Sequence, residues 1–313
     1  MIPSKQIVIE AGNRVAPFVH RTPVLTSRLL NEMAGAEVFF KCENLQKMGA
    51  FKMRGAINAI QQLSEAQKKA GVVTHSSGNF GQALALAAKN LGVNAYIVMP
   101  SSAPAVKIEA VKSYGGLVTI TEPTLEAREK SAANIVAEKG AVFLHPSNDM
   151  NVIVGQGTAA LELLQDQPGL EYIVSPVGGG GLIAGTALAA HYLGDNCRVI
   201  GGEPMEVDDA YRAFKSGKIE YNTSTDTIAD GLKTNLGDIN FPIIMELVSD
   251  IIRVEEGEIV NAMKLIWERM KLVIEPSSAV PFAALLKERE KFKNKKVGII
   301  LSGGNVELSN LPF

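Results

Sequence analysis

The sequence predicts an α/β fold with two open, mostly parallel twisted sheets flanked by helices. Short β-rich runs alternate with helix-like stretches along the 313 residues. Most of the β-rich runs are continuously apolar, as in strands buried on both faces of a parallel sheet. The length fits about two domains of roughly 150 residues. We therefore expect a small mobile domain, residues 70–145, inserted in a large domain, residues 1–64 and 148–313.

The individual elements follow from the apolar pattern and the turn residues between the runs. The predicted strands are Val38–Lys41, Val72–Thr74, Ala95–Met99, Leu117–Thr121, Val142–His145, Tyr172–Ser175, Arg198–Gly201 and Val297–Leu301. The predicted helices are Ala56–Leu63, Gly81–Leu91, Ala105–Tyr114, Thr124–Glu138, Gly155–Leu164, Leu182–Leu193, Glu258–Lys271 and Ser278–Glu290. Two joints are expected, at Ser64–Gly71, where Ser64 and Gln67 have capping-box spacing, and at Pro146–Asp149.

The composition excludes several classes of protein. The net charge of -2 and the pI of about 6.2 do not suggest a nucleic-acid or anionic-membrane partner. Cys42 and Cys197 lie far apart, which argues against a disulfide framework and for a reducing compartment. The N-terminus lacks an apolar run of signal length, and no window approaches 18 apolar residues without a charge. We expect a cytoplasmic protein with no membrane span.

Three polar loops follow predicted strands, where open α/β sheets bind their ligands. Gly178–Gly181 lets the backbone wrap an anion closely. The sequence around it has neither the lysine of a P-loop nor the acidic residue of a dinucleotide site at the expected spacing. It predicts a phosphate carried by a smaller cofactor. Ser76–Asn79 precedes a helix and suits a carboxylate. Ser302–Asn305 places a hydroxyl at a strand end. Each loop alone is also compatible with an ordinary turn.

Lys52 is the candidate nucleophile. A lone lysine near a helix start is usually a solvated surface residue, but Phe51 and Met53 flank this one. An apolar site lowers the pKa of an amine, and only the neutral amine forms an imine.

The loops combine into a resemblance that covers nearly the whole chain. Asn44–Ala56, which contains Lys52, resembles the cofactor-lysine motif of the serine/threonine dehydratase and serine racemase family, the fold-type II, tryptophan-synthase-β-like pyridoxal-phosphate enzymes. Ser76–Asn79, Gly178–Gly181 and Ser302–Asn305 match the other motifs of this family in the same order. Further matches are GQGT at 155–158, TIADGLK at 227–233 and WERMKLVIEP at 267–276.

The resemblance implies a cofactor, pyridoxal 5'-phosphate, in the cleft between the domains, and a small hydroxy amino acid as substrate. It implies that Lys52 holds the cofactor as a Schiff base and moves the α-proton on one face, while Ser77 acts on the opposite face. One such site supports both racemisation of serine and elimination of water to a 2-oxo acid and ammonia.

The resemblance also assigns the binding residues. The implied cofactor contacts are Phe51, Lys52, Asn79, Gly178, Gly179, Gly180, Gly181, Leu182, Gly231, Glu275, Ser302 and Gly303. The implied substrate contacts are Ser76, Ser77, Gly78, Asn79 and Arg128. Ser302 is expected to face the pyridine nitrogen without keeping it protonated, which makes the ring a weaker electron sink than an aspartate would.

A structural metal ion is implied at Glu203, Asp209 and the carbonyl of Val207. Two carboxylates and a carbonyl suit Mg²⁺ or Ca²⁺. Without the resemblance, Glu203 and Asp209 are read more simply as parts of an acidic loop.

Several alternatives stay open. Phe80 stands where many relatives carry histidine and Ala50 where serine is common, so a threo-3-hydroxyaspartate dehydratase or a dedicated threonine/serine dehydratase fits the same framework. A non-catalytic ligand-binding protein would require a lost lysine or a broken glycine loop, and neither is seen. The resemblance implies a homodimer, and it leaves activation by ATP open because Arg28, Met48 and Ser147 replace other residues at the expected nucleotide positions.

Overall fold

The computed structural model describes residues 2–76 and 78–313, apart from the side chain of Asn310. Its strands form two sheets. In chain order the strands are β1 (Val24–Leu25), β2 (Glu37–Cys42), β3 (Val72–His75), β4 (Ala95–Pro100), β5 (Leu117–Thr121), β6 (Val142–Phe143), β7 (Tyr172–Pro176), β8 (Arg198–Pro204), β9 (Val248–Val254) and β10 (Lys296–Leu301).

Helices cover the faces of these sheets. They are α1 (Lys5–Val15), α2 (Arg28–Ala34), α3 (Lys52–Gln61), α4 (Glu65–Ala70), α5 (Asn79–Asn90), α6 (Ala105–Ser113), α7 (Leu125–Lys139), α8 (Met150–Asp166), α9 (Gly181–Leu193), α10 (Asp209–Ser216), α11 (Phe241–Leu247), α12 (Glu256–Met270), α13 (Pro276–Lys287) and α14 (Arg289–Phe292). Within the described residues, no helix is both long and apolar enough to cross a membrane.

The strand orders confirm the predicted fold class. The larger sheet has the order β1-β2-β10-β7-β8-β9, and the smaller has the order β5-β4-β3-β6. All pairings are parallel except that between β1 and β2. The strands of the smaller sheet lie between Val72 and Phe143, inside the stretch expected to form the small domain. The domain boundaries themselves stay a prediction.

The prediction missed elements whose pattern is not continuously apolar. Strand β9 reads VSDIIRV and lies at the edge of the larger sheet, where its polar residues reach solvent. Helix α8 begins at Met150 and not at Gly155, because the Asp149 carboxylate caps it by accepting the N–H groups of Asn151 and Val152. The capping box of Ser64 and Gln67 is confirmed at the start of α4.

Glycine makes a close crossing of α8 with α3 and α9 possible. A Cβ built on Gly157 in α8 lies 2.4 Å from the Gly185 carbonyl oxygen of α9. A Cβ on Gly155 lies 2.7 Å from the Arg54 carbonyl oxygen of α3. Helix α8 is therefore held by backbone contact between the helix that begins at Lys52 and the helix that begins at the glycine loop.

Gly157→Ala is expected to lower the free energy of unfolding by about 1–3 kcal/mol, because the added methyl group has backbone on its far side and nothing flexible to displace. The matched control is Gly257→Ala in α12, where a built Cβ meets nothing within 4 Å. That control should be neutral or gain up to about 1 kcal/mol. Urea unfolding of both variants checks the prediction, and equal effects would contradict the close crossing.

Candidate active site

Lys52 begins α3 directly beside the end of β10. The Phe51 N–H donates to the Ser302 carbonyl (3.0 Å), and Ala50 forms an isolated bridge with Gly303. The two loops, which are some 250 residues apart in sequence, are thus joined backbone to backbone. Phe51 and Gly303 consequently lie in the same site as Lys52 and Ser302.

The Lys52 amine lies in a largely apolar surrounding. Its Nζ is 4.8 Å from the centre of the Phe51 ring and 5.9 Å from that of Phe80, and it donates to the Pro146 carbonyl oxygen at 2.8 Å. Burial lowers the pKa of Lys52 to about 8, against the opposing effect of the Glu275 charge. A pKa near 8 keeps a substantial fraction of the amine neutral, and therefore nucleophilic, at physiological pH.

The reactivity of Lys52 is expected to follow this pKa. In the full chain freed of ligands, acetylation of Lys52 by acetic anhydride should rise with pH through a midpoint near 8, because only the deprotonated amine attacks. An ordinary lysine, with a pKa of about 10.4, would reach its midpoint more than two pH units higher. Mass spectrometry of the Lys52 peptide measures the midpoint, and a value near 10 would refute the proposed desolvation.

The glycine loop joins β7 to α9 and is packed from behind by other parts of the protein. A Cβ on Gly178 would meet the backbone of Leu232 at 2.7 Å, and one on Gly179 would meet the Ser147 hydroxyl at 2.4 Å. Gly180 has a φ of +80°, which glycine adopts without strain. Among the described residues, no side chain caps the start of α9, so its first N–H groups are free to bind an anion. Leu182 lies in the same first turn.

Asn240 was missed by the sequence analysis. It is fully buried and begins the turn into α11. Its Nδ2 donates to the carbonyl oxygens of Ser147 (3.0 Å) and Gly179 (2.8 Å). This amide fixes the glycine loop against the loop that leads from β6 to α8. Its sequence context, between a loop and the start of α11, carries no signal for that role.

Asn79, Glu275 and Asn305 form a hydrogen-bonded chain across the site. Asn79 Nδ2 lies 3.1 Å from both carboxylate oxygens of Glu275, and Asn305 Nδ2 donates to Asn79 Oδ1 at 2.8 Å. Burial and the charge of Asp230 raise the pKa of Glu275 to about 7. A Cβ on Gly303 would come within 2.9 Å of this carboxylate. The predicted contacts from α5, α13 and the end of β10 therefore converge.

Ser302 is positioned by Ser278, a second residue that the sequence analysis missed. The two hydroxyl oxygens are 3.0 Å apart, and both are buried. Ser278 Oγ also hydrogen bonds to the Gly303 carbonyl and accepts the Gly303 N–H, each at 2.7 Å. The neighbouring Ser277 accepts the N–H of Gly231 at 3.1 Å. The first turn of α13 thus holds both the loop that contains Gly231 and the loop that follows β10.

The proposed substrate loop follows β3. Gly78 precedes α5 without strain, and the Ser76 carbonyl oxygen lies 2.4 Å from a Cβ built on Gly81, so the loop packs tightly on the helix it begins. Ser77 lies outside the described residues. Arg128 lies in the first turn of α7, where its Nε donates to the Thr124 carbonyl at 3.3 Å. Within the described residues, no hydrogen bond connects Arg128 to the Lys52 site.

The predicted metal ligands lie apart from Lys52, around the start of α10. The Glu203 carboxylate accepts the N–H groups of Ala210 (2.9 Å) and Tyr211 (2.8 Å). Asp209 accepts from Asn222 Nδ2 (2.6 Å) and Leu236 N–H (3.1 Å). Both carboxylates are buried, as is Val207. Among the described residues, no group of three or more His, Cys, Asp or Glu side chains could hold a metal.

Burial governs the protonation of these two carboxyl groups. It raises the pKa of Asp209 to about 6. Burial and the nearby Asp209 charge raise the pKa of Glu203 well above its ordinary value. Two buried acids in close association favour a proton or a cation as a partner.

The comparisons with known proteins agree with this geometry. A family model described as pyridoxal-phosphate dependent enzyme matches residues 15–303. Serine racemase of Dictyostelium discoideum is 51% identical over 306 residues, covering 96% of this chain and 94% of that protein. The β-hydroxyaspartate dehydratase of Paracoccus denitrificans is 48% identical over 312 residues, covering 100% and 99% of the two chains.

The fold matches as well. The crystal structure of the Dictyostelium discoideum serine racemase has a TM-score of 0.95 and 49% identity, and covers 98% of this chain and 100% of that chain. The family model extends from the end of α1 to Gly303 and so includes Lys52, the glycine loop and Ser302, while Asn305 lies two residues beyond it. The chain is an enzyme and belongs to the family of pyridoxal-phosphate-dependent enzymes.

Proposed function

We propose that this enzyme interconverts L- and D-serine and also eliminates water from serine or threonine to give a 2-oxo acid and ammonia. The observation that carries the proposal is the desolvated Lys52 amine, with a pKa lowered to about 8, next to Phe80 at the start of α5. That helix directly follows the loop predicted to bind the substrate carboxylate. The similarity to a serine racemase over 96% of the chain supports the choice of substrate.

The site fits pyridoxal phosphate. Within the described residues, the start of α9 has no side-chain cap, so its backbone N–H groups suit the phosphate. The loop before it requires glycine, because any Cβ there would collide with the protein behind it. The residues proposed to surround the planar ring are Phe51, Gly231, Asn79, Gly303 and Ser302, and hydrogen bonds of Phe51, Ser277 and Ser278 connect their loops. When bound, the cofactor supplies an electron sink for charge that develops at the substrate α-carbon.

The chain's own residues supply proton transfer and orientation. Lys52 takes and returns the α-proton on one face. Ser77 is proposed to do so on the other face, and Ser76, Gly78 and Asn79 to hold the substrate carboxylate with backbone and side-chain donors. Arg128 is also proposed to contact the substrate, although within the described residues it makes no hydrogen bond to the Lys52 site. Glu275 fixes Asn79 through both carboxylate oxygens.

The experiment that tests the function is chiral product analysis with L-serine. We expect D-serine and pyruvate to form together, and Ser77→Ala to suppress D-serine formation by about 10²-fold or more. The control is Ser113→Ala, an exposed residue at the end of α6, which should change neither product. Formation of pyruvate without D-serine would contradict the proposed racemase activity. D-serine formation unaffected by Ser77→Ala would contradict the proposed role of Ser77.

A second candidate function is dehydration of 3-hydroxyaspartate. The similarity to the Paracoccus denitrificans β-hydroxyaspartate dehydratase over the full chain favours it. Phe80 and Ala50 are both buried, at 2% and 0% exposure, and Ala50 bridges to Gly303 at the site. Values of kcat/KM for 3-hydroxyaspartate, threonine and serine decide between the two proposed functions. The physiological substrate should have a clearly higher kcat/KM than the others.

We also propose that Glu203, Asp209 and the Val207 carbonyl bind Mg²⁺ or Ca²⁺ as a structural ion. Burial raises the pKa values of both acids, and the charge of such an ion would stabilise their deprotonated forms. Millimolar Mg²⁺ or Ca²⁺ should raise the Tm of the wild type but not of Glu203→Gln. The increase should fade as the pH falls through about 6, because protons then compete for Asp209. An equal increase in both proteins would locate the ion elsewhere.

The assembly, the compartment and the nucleotide response stay predictions. A homodimer and a cytoplasmic location are proposed from the resemblance and from the two cysteines, which are both free. Arg28, Met48 and Ser147 replace other residues at the expected nucleotide positions, so activation by ATP stays an open question. Size-exclusion chromatography with light scattering and an assay with added ATP test the first and last of these.

A further inference from the structure

Gln156 is a fully buried residue in the middle of α8 that the proposed reaction does not use. Its side chain touches three parts of the site. Its Cγ lies 2.9 Å from a Cβ built on Gly55, three residues after Lys52, and its Oε1 lies 2.5 Å from one built on Gly181, the first residue of α9. Its Nε2 donates to the Pro146 carbonyl oxygen at 3.0 Å.

The Pro146 carbonyl is also the acceptor of the Lys52 amine, at 2.8 Å. A carbonyl oxygen has two lone pairs, so Gln156 and Lys52 can bond to it together. The orientation of the amide is set by this contact, because only its nitrogen can donate to a carbonyl. The Gln156 Oε1 has no hydrogen-bond partner among the described residues. Burying an unpaired acceptor costs about 1–3 kcal/mol, which an apolar side chain would avoid.

The rest of the loop between β6 and α8 holds the carbonyl in place from both sides. His145 Nδ1 accepts the N–H groups of Ser147 (3.2 Å) and Asn148 (2.8 Å). The Ser147 carbonyl in turn accepts from Asn240. Proline at position 146 restricts the backbone itself. Gln156 is the side chain that bonds directly to the carbonyl at the point where Lys52 docks.

We propose that Gln156 is a positioning residue that aims the Pro146 carbonyl at the Lys52 amine whenever this amine is not bonded to the cofactor. A neutral amine has two N–H groups and one lone pair. Donating one N–H to a fixed acceptor restricts where the lone pair points, and this direction decides how well the amine takes a proton from the substrate. The inference rests on the proposed role of Lys52 in proton transfer, and it adds a residue that no motif assigns to that step.

The first test measures Lys52 itself in the full chain freed of ligands. In Gln156→Met the carbonyl loses its anchor, so the ammonium form of Lys52 loses more hydrogen-bond energy than the neutral amine. The midpoint of Lys52 acetylation should fall by at least half a pH unit below the wild-type value. In Gln156→Glu, a carboxylate near the amine should raise the midpoint of Lys52 acetylation. Glu275 and His145, the titratable groups coupled to Lys52, are unchanged in both.

The matched control is Thr186→Val in α9. Thr186 is fully buried and, within the described residues, its hydroxyl is also without a partner. Removing this hydroxyl should leave the Lys52 midpoint unchanged. If Gln156→Met does not fold, Gln156→Glu alone tests the inference, and its midpoint of Lys52 acetylation should lie above the wild-type value. Midpoints equal to the wild type in the folded Gln156 variants overturn the inference.

The second test uses the holoenzyme. Gln156→Met should lower kcat with L-serine by about 10- to 100-fold, with KM changed by less than about threefold, because the amine is misaligned and not absent. The kinetic isotope effect with α-deuterated serine should rise, since proton transfer becomes slower than the other steps. An unchanged isotope effect with a raised KM would indicate a packing role instead. If the wild type forms neither D-serine nor pyruvate, the proposed function fails, while the Lys52 titration still judges Gln156.

Discussion

Replacing Lys52 by alanine is expected to reduce turnover of L-serine by at least about 10⁴-fold. The change removes the amine that is proposed both to attach the cofactor and to move the α-proton. The visible absorbance of the cofactor as a covalent adduct should be lost as well, although the glycine loop is still expected to bind the phosphate. Steady-state assays of both products and absorbance spectra of the purified variant check the prediction.

The matched control is Lys47→Ala. Lys47 belongs to the same motif and lies on the short turn just before α3, also partly exposed. It has no hydrogen bond from its amine within the described residues, and we expect its variant to keep both the adduct and the activity. Loss of the adduct in Lys47→Ala with retention in Lys52→Ala would reverse the assignment.

Replacing Arg54 by leucine is expected to lower the free energy of unfolding by about 3–5 kcal/mol. Arg54 is fully buried, with its Nε 2.7 Å from Glu43 and its Nη1 2.8 Å from Glu162. Lys41 bonds to Glu162 at 2.7 Å. The cluster of two acids and two bases is neutral, and removing Arg54 leaves one uncompensated negative charge in the core.

Arg28→Leu is the matched control for Arg54. The Arg28 side chain is 94% exposed and lies 3.7 Å from Glu32, an exposed pair that contributes well under about 1 kcal/mol. Urea unfolding of the two variants gives the comparison. A loss below about 1 kcal/mol in Arg54→Leu would show that the core accommodates the unpaired acid, for example by admitting water.

The cluster also connects stability to function. Arg54 and Lys52 share the first turn of α3, so the salt bridges to Glu43 and Glu162 fix the helix from which the reactive amine projects. The buried salt bridges and the reactive amine thus depend on the same helical turn. The motif that reveals Lys52 in the sequence includes Arg54, but the partners of Arg54 come from elsewhere in the chain.

Sequence patterns predicted the parts of the site that lie in loops after strands. The order of the loops and the rule that ligands bind at the carboxyl ends of strands predict one site for Lys52, Gly178–Gly181 and Ser302. The structure joins the loops of Lys52 and Ser302 backbone to backbone. The glycine loop was recognisable because four glycines after a buried strand have few other uses. The two parallel sheets followed from the continuous apolar runs.

The contacts that the sequence did not reveal are made by polar side chains within helices or at their ends, including Gln156 of the GQGT match. Ser278, Asn240 and Gln156 hold Ser302, the glycine loop and the Pro146 carbonyl, respectively. Each contact joins segments at least 10 residues apart, and most join segments separated by more than 20. A local pattern contains no information about such partners. Strand β9 was missed for a related reason, since an edge strand needs only one apolar face.

The most direct test of the account is reduction of the holoenzyme with borohydride, followed by peptide mapping. Borohydride makes the attachment of the cofactor to a lysine permanent. We expect the pyridoxyl group on Lys52, and we expect the reduced enzyme to form neither D-serine nor pyruvate. A pyridoxyl group on any other lysine, or none on the protein, would contradict the account.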